Sequence, residues 1–177
     1  RNQLIEAAAE SDQALMEKFF GDEELSPDEI RGGLRAGVAA ATIVPVAATA
    51  ATSAAGIDPL LNLVAGVMPA ASDAPEVLGT KPGGDDEVTL PATPDAPFSA
   101  LVFKTVSEQH VGELLFFRVY SGTVSSGNDV LNSTKSESER MGSIYALIGH
   151  DRKEMESVSA GDIAGVVKLK ITSTGDT

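Results

Sequence analysis

The sequence predicts an α+β chain, helical in its first part and β in its last. Three observations carry this. Apolar residues recur at helical spacing over residues 2–20 and again from Ser26. From Phe98 on, short runs rich in β-branched and aromatic residues alternate with turn signals. Between them, residues 69–97 hold six of the nine prolines.

The first helix is expected over 2–20. Leu4, Ala8, Leu15 and Phe19 share one stripe, with Ile5 and Met16 beside it, and Glu6, Glu10, Gln13 and Glu17 lie on another face. Gly21 is placed to end it. Ser26-Pro27-Asp28-Glu29 then combines a capping Ser, a Pro at the first helical position and a Glu that closes a capping box. Ile30, Leu34 and Val38 form the buried stripe of this second helix. Gly32, Gly33 and Gly37 weaken it, so it depends on packing. Residues 42–48 read as a short buried strand despite Pro45, and 49–56 as a loop of small residues. Asp58-Pro59 is expected to cap a third helix bearing Leu60, Leu61, Val64 and Val67.

Residues 69–97 read as an interdomain linker, with Gly83-Gly84-Asp85-Asp86-Glu87 at its middle. The domains are thus expected at 1–68 and 98–177. Strands are expected at Phe98–Val106, Glu113–Val124, Asp129–Asn132, Met141–Ile148 and Ile163–Ile171. Ser125-Ser126-Gly127-Asn128 and Ser159-Ala160-Gly161-Asp162 supply turns, and strands at this spacing suggest a small barrel.

Composition narrows the chemistry. The chain has no Cys, which excludes disulfides and thiolate catalysis, and His110 and His150 are too few for a histidine metal site. Residues 1–96 carry 5 basic and 16 acidic side chains, whereas 97–177 carry 8 and 10. An acidic first half does not suit phosphate binding but suits a basic protein partner. The apolar run 36–57 is rich in Ala and Gly, contains Pro45 and reads as a buried helix end, strand and loop, not a membrane span. The chain opens at Arg1 inside a helix and stops at Thr177 where a strand is expected to continue. This reads as an excised piece of a longer protein, whose last strand is left with an unpaired edge.

Several motifs occur together. Gly112 to Gly122 reads G-E-L-L-F-F-R-V-Y-S-G, Lys135 to Arg140 reads K-S-E-S-E-R, and Ala160-Gly161-Asp162-Ile163 and Thr174-Gly175-Asp176-Thr177 follow. With Phe98-Ser99-Ala100-Leu101-Val102-Phe103-Lys104, these resemble the second domain of translation elongation factor G. The first part is similar to the same family. Leu4 to Ala8, Leu15 to Phe19, Glu23 to Ser26 and Glu29-Ile30 resemble the insert of its GTPase domain. Val44-Pro45-Val46, Gly56-Ile57 and Pro59-Leu60-Leu61 resemble that domain's last strand and helix.

The resemblance implies the C-terminal part of a phosphate-loop GTPase domain followed by a truncated Greek-key barrel. It implies a cytoplasmic parent that binds GTP and Mg2+ and drives translocation of transfer and messenger RNA on the ribosome. No G-x-x-x-x-G-K-[ST] and no Asn-Lys-x-Asp occurs here, so this piece alone is expected to hold no cofactor and to be inactive. Where the family has Gly-Ser-Ala, this chain has Thr49-Ala50-Ala51. The resemblance implies that a backbone N–H at Ala50 or Ala51 helps read the guanine oxygen. The lost Ser hydroxyl favours a diverged paralogue over the housekeeping factor.

Partners follow in the same way. The family's insert docks the basic domain of the ribosomal stalk protein, which points to Glu10, Glu17 and Glu24 among the acids Glu6, Asp22, Glu23, Asp28 and Glu29; plain solvated surface is the alternative. On the barrel, Lys104, Arg118, Lys135, Arg140, Arg152 and Lys153 are the basic candidates, and the resemblance implies contact with small-subunit ribosomal RNA. Arg140, Arg152 and Lys153 are expected in or near loops, and Arg118 mid-strand as a structural residue. A barrel of net charge near zero is not expected to bind RNA on its own, and no membrane or DNA partner is implied. Asp162-Ile163-Ala164-Gly165 matches D-x-x-G but reads as a turn, and the sequon Asn132-Ser133-Thr134 is discounted. Two further readings remain: a ribosome-binding relative without GTPase action, and a ribosomal-protection or release factor. Phe116 to Gly122 with Asn132 to Lys135 looks closer to elongation factor G than to the latter.

Overall fold

The structure, a computed structural model, describes residues 2–21, 23–74, 76–108, 112–149 and 151–177. Asp22, Pro75, His110 and His150 lie outside the described residues. The chain divides into two compact units, Arg1–Ala74 and Pro75–Thr177.

The first unit is helical: α1 (Asn2–Ala9), α2 (Gln13–Phe20), α3 (Pro27–Ala39) and α4 (Ile57–Val67). The helix expected over 2–20 is two helices. The first ends at Ala9, and Asp12 caps the second, its Oδ1 accepting the amides of Ala14 and Leu15 at 2.8 and 3.1 Å. The break turns Leu4 and Phe19 partly to solvent and leaves Ala8 and Ala9 as the buried residues of α1. The capping box at α3 forms as read, with Glu29 Oε2 accepting from the Ser26 amide and hydroxyl. Its stripe is different: Gly33 and Gly37 are buried and Ile30, Leu34 and Val38 half-buried. A Cβ at Gly33 would lie 2.4 Å from the Ala8 carbonyl oxygen, so the glycine is what lets α1 and α3 touch backbone to backbone.

Residues 42–48 form no strand. Val44 and Val46 are 80% and 91% exposed, and among the described residues this unit has no strand at all. An extended segment needs a partner for its backbone groups, and Pro45 donates none. Helix α4 begins one residue before the expected cap, with left-handed Gly56 at the N-cap and Asp58 in the first turn.

The second unit is β. Its first pair, β1 (Val77–Thr80) and β2 (Glu87–Leu90), is an antiparallel hairpin with Val77 opposite Leu90. This hairpin lies inside the stretch expected to be linker. Nine further strands follow among the described residues: β3 (Ser99–Glu108), β4 (Gly112–Ser121), β5 (Thr123–Ser125), β6 (Asp129–Asn132), β7 (Glu137–Arg140), β8 (Ile144–Ile148), β9 (Asp151–Met155), β10 (Ser157–Ser159) and β11 (Ile163–Val167). One antiparallel sheet has the order β3-β4-β11-β8-β9; β5 pairs with β10 and β6 with β7. The last strand stops at Val167, short of the expected Ile171, because Lys168 takes a left-handed φ of 68°.

Residues from several of these pairs share one core. Val102, Leu115, Phe117, Val119, Val124, Met141, Ile144, Val158, Ala164 and Val166 are buried together, with Phe98, Val130 and Leu169 packed against them. Each fully buried aliphatic side chain contributes about 2 kcal/mol. A β-bulge between Val102 and Lys104 breaks the alternation of β3, keeping Val102 inside while Phe103 and Lys104 face out.

The expected open edge at the chain end is not there. The amides of Val102 and Gly175 bond the carbonyls of Asp176 and Val102 at 3.0 and 2.8 Å, and Ser133 N donates to Thr177 O. A polar clasp holds this segment. Asp176, 5% exposed, accepts from Asn132 Nδ2, Lys135 Nζ and the Ser173 amide at 2.9, 2.9 and 2.8 Å. Glu139 accepts from the amides of Lys170, Ile171 and Thr172 and from the Thr172 hydroxyl. Asn132, the first residue of the sequon, is thereby buried.

Candidate functional site

Two surfaces of the helical unit hold the residues singled out from sequence. The first is the loop of small residues. Ala50 and Ala55 pair across it, the Ala50 amide donating to the Ala55 carbonyl at 2.9 Å. Ala51–Ser53 forms one 3-10 turn, closed by left-handed Ala54. Ser53 braces the loop: its amide and hydroxyl both donate to Ala50 O, at 3.2 and 3.4 Å. The Ala50 amide is spent inside the loop.

The second surface is acidic. Glu10 lies at the α1–α2 break, Glu17 on α2 and Glu24 ahead of α3, and all three are exposed. Glu17 accepts a hydrogen bond from Gln13 at 3.3 Å. Their neighbours are already committed. Lys18 Nζ meets Glu29 Oε1 at 2.5 Å, and Asp28 pairs with Arg31 at 2.9 Å. The ammonium of Lys18, helped by the Ser26 amide and hydroxyl, holds the Glu29 carboxyl down to about 2. Beside these acids Phe20 is 76% exposed and meets Phe19 edge to face at 5.8 Å. Sequence reasoning missed Phe20; its place off the apolar stripe was the available signal.

The basic residues of the β unit do not form one patch at loops. Arg140 ends β7, and its Nε donates to the Gly127 carbonyl at 2.9 Å, so it braces the 125–128 turn. Arg152 and Lys153 lie within β9, opposite Leu147 and Ala146. The charged run D-R-K-E-M hides a strand because its pairing, not its pattern, makes it one. Lys135 belongs to the clasp, Lys104 Nζ lies 5.7 Å from the Phe116 ring centre, and Arg118 lies 5.4 Å from that of Tyr120. Arg118 is mid-strand in β4, between Leu101 and Ile163. Asp162 closes its turn by accepting the Ser159 amide at 2.9 Å, so the D-x-x-G match is a structural turn. Among the described residues no group of His, Cys, Asp and Glu is placed to hold a metal ion, and no helix is long and apolar enough to cross a membrane.

Comparison with known proteins decides what the β unit is. Residues 97–177 match the family model described as elongation factor G domain 2. They form an elongation-factor-G-like β-barrel. The chain is also similar to a solved protein of Thermus thermophilus, at 25% identity and a TM-score of 0.74. That likeness covers 99% of this chain and 24% of the other, so the chain spans about a quarter of that protein's length. The elongation-factor-G-like domain 2 thus accounts for β3 to β11 and for the clasp that ends it.

Proposed function

We propose that the chain is part of a ribosome-dependent GTPase of the elongation factor G family, which promotes movement of transfer and messenger RNA through the ribosome. The match of residues 97–177 to that family's second domain carries this reading. The likeness to the Thermus protein covers nearly the whole chain and so includes the fold of the helical unit. The parent binds GTP and Mg2+ and acts in the cytoplasm. Its phosphate-binding chemistry lies outside these residues, which contain no phosphate loop.

In this reading the helical unit supplies two contacts. Ala51, in the loop tied by Ala50 and Ser53, donates its amide toward the guanine. Glu10, Glu17 and Glu24, exposed beside Phe20, meet the basic domain of the ribosomal stalk protein. The barrel leans on small-subunit ribosomal RNA through Lys153 and Arg152 on β9, with Arg140 as a bracing residue. A second reading, a ribosome-binding relative without motor action, is favoured by one observation: the Ala50 amide is already bonded within the loop.

The stalk contact is tested by reversing Glu10, Glu17 and Glu24 to Lys. Affinity for the stalk protein is expected to fall at least about tenfold at low salt, chiefly through slower association, and the effect shrinks as salt rises. Unchanged affinity at low salt would assign these acids to plain solvated surface.

A further inference from the structure

We propose that Arg35 and Asp73 form a latch that sets the free length of the connection between the two units. Arg35 projects from α3, and its Nη2 donates to Oδ2 of Asp73, the last residue of a 3-10 turn at Ala71–Asp73. The same oxygen accepts the amide of Ala70 at 2.8 Å. One carboxylate therefore closes the turn on itself and ties it to a helix 38 residues earlier. Arg35, with the Ala70 amide, holds the Asp73 carboxyl below its ordinary range, so the pair stays charged near neutral pH.

The latch's place in the chain gives it its consequence. Helix α4 ends at Val67 and β1 begins at Val77. With the turn held against α3, only residues 74–76 of the sequence separate it from β1. With the turn released, the connection runs over 68–76. A chain extends at most about 3.5 Å per residue, so the reach grows from about 10 Å to about 30 Å. Longer tethers let the joined units sample more arrangements. The two side chains are 45% and 38% exposed, and a charge pair this open to water is weak enough to break and re-form.

The test uses the whole chain, which has no Cys of its own. Labels at T52C and E137C report the distance distribution between the units, and hydrogen exchange reads the amides of residues 70–74. Arg35→Ala is expected to speed that exchange about two- to fivefold and to broaden the distribution, while Arg35→Lys keeps most of the protection. Wild-type protein in 1 M salt, roughly a 3 Å screening length, should broaden as well without any substitution. If R35A and high salt leave the distribution unchanged, the proposal is overturned, whether or not exchange at 70–74 changes. If R35A loses helix content, the salt experiment alone decides.

Discussion

Replacing Gly142 by Ala is expected to cost the barrel about 3 kcal/mol. A Cβ at this position would lie 1.9 Å from the Val167 carbonyl oxygen and 3.0 Å from its carbon. Both are backbone atoms, so no rotamer change relieves the overlap. Either the lead-in to β8 or the end of β11 must move. Ile144 and Val166, which lie opposite each other just beyond this point, are both buried in the core. The chain's only tyrosines, Tyr120 and Tyr145, are both in this unit and there is no Trp, so tyrosine fluorescence follows its unfolding alone. The midpoint is expected to fall by roughly 15 °C. Gly149→Ala is the control: its Cβ meets nothing within 4 Å and costs only the left-handed φ of 62°, about 1 kcal/mol. Equal losses in the two variants would mean that the approach of Val167 does not constrain the fold.

Removing the clasp carboxylate should have a comparable effect. Asp176→Ala leaves Lys135 and Asn132 without their buried acceptor and is expected to cost about 3 kcal/mol. The clasp also sets the acid response. Lys135 first, then Asn132, hold the Asp176 carboxyl well below its ordinary range, against the opposing effect of burial. For Glu139 burial is the largest influence and pushes upward, but the hydrogen bonds from Thr172 and the three amides together outweigh it and leave the carboxyl lowered. Both folded-state values lie below the unfolded ones, so the unfolded chain takes up protons first as pH falls. The stabilisation is therefore complete above the ordinary carboxylate range and drains away below about pH 4. Chemical denaturation between pH 7 and pH 3 is expected to show this loss in wild type and a flatter profile in a D176N/E139Q double variant. A wild-type profile as flat as the variant's would remove the clasp from the account.

The legible features of this fold were those set by local chemistry. Ser26 to Glu29 was readable because a capping box satisfies its own orphan amides within four residues. The strand Asp129–Asn132 and the turn at Asp162 were legible for the same reason, each bounded by side chains that bond their own backbone. Asp12 escaped notice because the apolar stripe runs past it in register, which hides the cap in its middle. The strands β7 and β9 read as E-S-E-R and D-R-K-E-M, and only pairing with β6 and β8 makes them strands. The hairpin at 77–90 had its signal in V-L-G-T and E-V-T-L, outweighed by the surrounding prolines. Val44 and Val46 show the reverse case, strand-like residues left without a partner. The loop at 49–55 was placed from sequence, but its internal bridge from Ala50 to Ala55 was not, since nothing in a run of Ala and Thr specifies which amides turn inward.

The proposed function makes these two units parts of a GTP-driven ribosomal motor. The most direct measurement is GTP hydrolysis by the full-length parent, with and without ribosomes. Turnover that ribosomes stimulate strongly is the expected result, and it would make Thr49-Ala50-Ala51 a tolerated variation of the proposed guanine-side loop. Demonstrated ribosome binding with no stimulated hydrolysis would contradict the proposed function, and would identify a relative that keeps the scaffold without the motor.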